Sequence, residues 1–78
     1  MQDEIAQRLA RCFRQVFPEL NSDQIHLAAQ ENIAGWDSIA HVTLLGLIGE
    51  EFGIEIDFEQ FTEATSFAAI VELIRAQE

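Results

Sequence analysis

The sequence predicts an all-α protein, a small four-helix bundle with three main helices and one short one. Two observations carry this: apolar residues recur at the 3.6-residue period of a helix in three segments, and Pro18 and Gly53 punctuate the chain where such segments should stop. A third sets the scale. With 78 residues there is room for one small domain, 1–78, whose core is modest and which has no place for a deep enclosed active site.

Ile5, Leu9, Cys12, Phe13 and Val16 fall at i, i+4, i+7, i+8 and i+11, one buried stripe of a first helix. Arg8, Arg11 and Arg14 lie off that stripe. The helix should end at Phe17-Pro18, because proline disfavours helical geometry in the residue before it. A long connection follows, 18–36, with Asn21, Ser22 and Asp23 as turn formers and Ile25, Leu27 and Ile33 as its apolar anchors. A connection this long in so small a domain is usually functional or held down by its own apolar residues.

A second main helix is expected over 38–52, stopped by Gly53. Leu44, Leu45, Ile48 and Phe52 form its core stripe, and Ile39, Val42 and Leu47 fall elsewhere on the wheel. It therefore has more apolar surface than one core face needs. Gly46 and Gly49 continue the Ile39/Val42 row, which becomes small and flat, as a docking surface would. Each glycine costs about 1 kcal/mol against alanine in a helix interior. After a short extended link, Ile54-Glu55-Ile56, a one-turn helix is expected at 58–61, with Asp57 and Gln60 spaced as a capping box. Thr65 or Ser66 caps the last helix, whose stripe is Phe67, Ile70, Val71 and Ile74.

Charge narrows the function. The net charge is −10, all four basic residues are arginines, and none lies between Arg14 and Arg75. Such a field repels nucleic acid and anionic membranes and steers the molecule toward basic patches on other proteins. Apolar runs are far shorter than the roughly 20 residues of a membrane span. The acidic start, Met1-Gln2-Asp3-Glu4, is unlike a signal or transit peptide, so a cytoplasmic location is expected. Cys12 is the single cysteine, and on a core stripe it should behave as a small hydrophobe.

Catalytic and metal motifs are sparse. His26 and His41 have no ligand-like spacing, so no metal is expected. Ser38 and His41 stand three apart on one helix but lack a third group and a pocket; His41 reads as a partly exposed helix residue. The informative stretch is Gly35-Trp36-Asp37-Ser38-Ile39. It places a serine hydroxyl beside the unpaired N–H groups of a helix start, where a phosphate is stabilised by the dipole, and Asp37 is a good cap for that helix.

The run Asp37-Ser38-Ile39-Ala40-His41-Val42, then Leu44-Leu45, Glu50-Glu51-Phe52-Gly53-Ile54 and Ile56-Asp57, resembles a free-standing acyl carrier protein. Length, helix order, long first connection, short third helix and acidity agree over essentially the whole chain, and the family's Asp-Ser-Leu signature stands here as Asp-Ser-Ile. The resemblance implies that Ser38 receives covalent 4′-phosphopantetheine from coenzyme A through a separate phosphopantetheinyl transferase. It implies that Asp37 is part of what the transferase reads. The chain would then be a non-enzymatic, monomeric carrier holding an acyl or aminoacyl group as a thioester. Its further partners would be a loading ligase and downstream synthase or transferase enzymes.

The departures from the family pattern point to a specialised carrier. Members in housekeeping fatty acid synthesis usually carry several carboxylates along the second helix, where this chain has Ala40, Thr43 and Gly49 and keeps Glu50 and Glu51. Docking is therefore expected through Ile39, Val42 and Gly46 with Glu50. Trp36 is also unlike the housekeeping pattern. A dedicated polyketide, peptide or modified-lipid pathway fits these changes. The alternative is an unmodified acidic module that docks basic partners through the second helix.

Overall fold

The structure is a computed structural model and describes residues 4–77. Met1, Gln2 and Asp3, read above as part of an acidic start, lie outside the described residues. The described chain is helical without strands: α1 (Glu4–Val16), α2 (Ser22–His26), α3 (Ser38–Phe52), α4 (Phe58–Glu63) and α5 (Phe67–Gln77). The three main helices and the short α4 are those expected. The addition is α2, a five-residue helix inside the long connection. Its cause is local: Asn21 Oδ1 accepts from Gln24 N at 2.8 Å, and Gln24 Oε1 accepts from Asn21 N at 2.9 Å. That reciprocal box makes a helix start of residues expected only to turn.

The capping box expected at Asp57 and Gln60 is replaced by a simpler arrangement. Asp57 Oδ1 accepts from Glu59 N at 2.8 Å, one residue nearer than a box requires. Ser66, rather than Thr65, caps α5, its Oγ accepting from Ala69 N at 3.1 Å. At the end of α3, Gly53 takes φ 63° and its N–H reaches Gly49 O, closing the helix in a conformation that glycine adopts without strain.

α1 packs against α2, α3 and α5, while α2 and α4 each lie on α5. Phe13 sits where these elements meet, fully buried, with Trp36 and Phe67 edge-on at 5.2 and 5.3 Å between ring centroids. Edge-on aromatic pairs add about 0.5–1.5 kcal/mol each beyond the area they bury. The stripes of α1 and α5 pack as expected, with Leu9, Cys12, Phe13, Phe67, Ile70, Val71 and Ile74 buried. In α3, Leu44 and Ile48 are fully buried, and Leu45 and Phe52 are half-buried against them.

The connection 27–37 is held differently from expectation. Ile25 is fully buried and Ile33 half-buried, but Leu27 is 77% exposed and anchors nothing. Ala28 and Trp36 take its place in the core. Two backbone bonds, Gln30 N to Thr65 O and Phe67 N to Ala28 O, both 2.9 Å, fasten the connection to the start of α5. The strand-like pairing turns Ala28 inward and leaves Leu27 outside.

Candidate functional site

Ser38 is the first residue of α3 and is exposed. The residue before it is extended, φ −99° and ψ −172°, and Asp37 Oδ1 accepts from Ala40 N at 2.9 Å. Asp37 O in turn accepts from His41 N at 2.9 Å. The cap therefore uses the N–H groups of Ala40 and His41. Those of Ser38 and Ile39 have no partner among the described residues. Asp37 directs its carboxylate into the helix, so a phosphoester on the serine would meet open N–H groups at the positive end of a 15-residue helix. These residues fit a covalently attached phosphate arm.

The expected docking residues share one outward face of α3. Ile39 is 78% and Val42 51% exposed, and Gly46 and Glu50 are exposed below them. A Cβ added at Gly46 would meet nothing within 4 Å, so the row is open as well as flat. Gly49 turns away from it, where a Cβ would lie 3.5 Å from Ile54 O. Glu51 is not part of this face. Its carboxylate is 2.8 Å from Arg8 Nε, and its carbonyl accepts from Arg8 Nη2.

His41 departs from the sequence reading. It is buried, 6% exposed, not a partly exposed helix residue. Trp36 Nε1–H donates to His41 Nδ1 at 3.0 Å. An indole nitrogen only donates, so Nδ1 accepts and Nε2–H donates to Phe61 O at 2.6 Å. The imidazole also stacks on the Phe61 ring, centroids 4.3 Å apart. With both ring nitrogens engaged, His41 has none to offer Ser38 as a base. A readable signal was present: His41 lies three, four and seven residues before Leu44, Leu45 and Ile48, on the core stripe itself.

Other chemistry is thin around this turn. Among the described residues no three His, Cys, Asp or Glu side chains gather as a metal would need. A groove of about 600 Å³ between α1 and α2 is lined by Ala6, Ala10, Arg11, Arg14, Ser22 and His26 and does not include Ser38. Cys12 is buried, and its thiol is pushed up from its ordinary pKa, first by desolvation and then by the charge of Glu51, with Arg8 opposing.

The profile of the phosphopantetheine attachment site family matches residues 7–74, which take in α2, α3 and α4 and all but the ends of α1 and α5. The chain belongs to that family. Members carry covalently attached 4′-phosphopantetheine and are generally non-catalytic carriers that work with transferases and synthases. No curated protein matches the chain. Among the described residues no helix is long and apolar enough to cross a membrane.

Proposed function

We propose that residues 1–78 form one carrier domain that holds an acyl or aminoacyl group as a thioester on a 4′-phosphopantetheine arm, and that Ser38 bears the arm. The observation that carries this is an exposed serine at the first position of α3, behind a carboxylate already committed to capping, in a member of this family. Installation of the arm balances without an oxidant or reductant. Ser38 Oγ attacks the pantetheine-bearing phosphate of coenzyme A, the Oγ–P bond forms and the pyrophosphate P–O bond breaks. Adenosine 3′,5′-bisphosphate leaves, and the serine proton passes to a base of the transferase.

The chain itself catalyses nothing on this reading. It travels in the cytoplasm as a monomer between a phosphopantetheinyl transferase, a loading ligase and downstream synthase or transferase enzymes of a specialised pathway. Asp37 is read by the transferase, and Ile39, Val42, Gly46 and Glu50 form the surface these enzymes meet. The exposure of Ile39 and Val42 also suits the second reading, an unmodified acidic module that docks basic partners through α3. Intact mass of the protein purified from its native host separates the two. A mass raised by one phosphopantetheine supports the carrier, and the bare chain mass under conditions that load other carriers supports the module.

A further inference from the structure

Ser38 is exposed, and its side chain has no hydrogen-bond partner among the described residues. Its own contacts therefore do not set where the hydroxyl stands. That place is set by the turn before it and the helix after it. The turn is fastened at Trp36, whose N–H reaches Ile33 O at 3.1 Å and whose ring packs edge-on against Phe13. The helix is fastened at His41, stacked on Phe61 and bonded to its carbonyl. Trp36 stands two residues before Ser38 and His41 three after it. The serine thus lies on a short arc whose two feet are joined by the 3.0 Å bond from Trp36 Nε1 to His41 Nδ1.

We propose that His41 is a positioning residue for Ser38. It acts through Trp36, holding the 36–38 turn so that the serine hydroxyl is presented in one place, and it ties that turn to α4 through Phe61. The proposal rests on the reading that Ser38 receives the arm. A buried apolar residue would fill the same volume, but only a side chain with an acceptor toward Trp36 and a donor toward Phe61 O satisfies both groups. Neutral imidazole does so from one ring. A displaced nucleophile loses rate steeply, since misplacement by about 1 Å can cost a hundredfold. The face at Ile39 and Val42, through which partners dock, stays intact when the clamp is released.

The test measures transferase kinetics with coenzyme A on the full chain and four variants, alongside the indole N–H resonance of Trp36, the single tryptophan. His41→Phe should lower kcat about tenfold with KM within about twofold, and the indole resonance should shift upfield. His41→Asn restores an acceptor near the Nδ1 position and should recover most of kcat and the resonance. His41→Gln puts its donor toward Phe61 O instead and should stay slow. Trp36→Phe keeps a ring, removes the donor, and should show the same tenfold loss of kcat with KM within about twofold, so it carries the test if His41→Phe fails to fold. Transfer to the wild-type chain with unchanged kcat in Trp36→Phe overturns the positioning role alone. Equal loss in His41→Asn and His41→Phe overturns action through Trp36. No transfer to the wild-type chain overturns the underlying reading, and the positioning role with it.

Discussion

Arg8 of α1 and Glu51 of α3 meet across the bundle, Nε to Oε2 at 2.8 Å, with the guanidinium 4.4 Å above the Phe52 ring. The contact uses one of only four basic residues in the chain to hold the C-terminal turn of the helix that begins at Ser38. It also engages the Glu51 carboxylate within the bundle, leaving it only partly exposed. The pair is about one-third exposed, so the ion pair alone contributes at most about 1 kcal/mol. The bond to the Glu51 carbonyl and the stacking add to it. Arg8→Gln should therefore destabilise by about 1–2 kcal/mol, lowering Tm by about 4–15 °C for a domain of this size. Thermal melts check this, and an unchanged Tm would mean the pair is only incidental.

The cap and the proposed attachment residue should separate cleanly. Asp37 accepts from Ala40 N, and the Ser38 side chain has no hydrogen-bond partner among the described residues. Asp37→Ala should cost about 0.5–2 kcal/mol, while Ser38→Ala should cost a few tenths and still abolish modification. If Ser38→Ala failed to fold, the serine would be structural.

Val42 and Ile48 stand six residues apart on one helix and face opposite environments, 51% exposed against fully buried. Val42→Asp should leave Tm within a few degrees and slow both arm transfer and cargo loading, because each interface must then desolvate a charge. Ile48→Asp buries a carboxylate without a partner and should unfold the domain. Parallel melts and loading rates decide the matter. Similar melting losses in both would place Val42 in the core.

Burial governs the behaviour of Cys12. Desolvation raises its thiol pKa in the folded chain, so on alkaline titration the unfolded chain loses its proton first. The folded state then holds more protons, and stability falls as pH rises from about 8.5. Melts between pH 7.5 and 10 should decline more steeply for the wild-type chain than for Cys12→Ala, whatever their absolute Tm. The folded thiol should also resist alkylation. Parallel slopes, or alkylation at the rate of a free thiol, would contradict this.

Much of this architecture was legible because stripes and stops are local. The bounds of α3 follow from Asp37 and Gly53 at its ends, and the stripe of α5 from four apolar residues at helical spacing. What was not legible depended on pairing across the chain. Leu27 reads as an anchor by its side chain, yet the bonds between 28–30 and 65–67 turn it outward. His41 stands at a core-stripe spacing that signals burial, but the partners that satisfy its ring there, Trp36 and, twenty residues away, Phe61, do not show in that spacing. The serine and its cap were visible because helix-start chemistry is written in consecutive residues. The clamp that holds them was not.

The most direct measurement is the mass of the chain after incubation with coenzyme A, magnesium and a broad-range phosphopantetheinyl transferase, followed by mapping of the modified peptide. One added phosphopantetheine is expected, on Ser38 alone, as the carrier reading requires. Ser22 and Ser66, which lack a preceding aspartate, should stay unmodified. An unchanged mass under conditions that modify another carrier, or a label on any residue but Ser38, would contradict it.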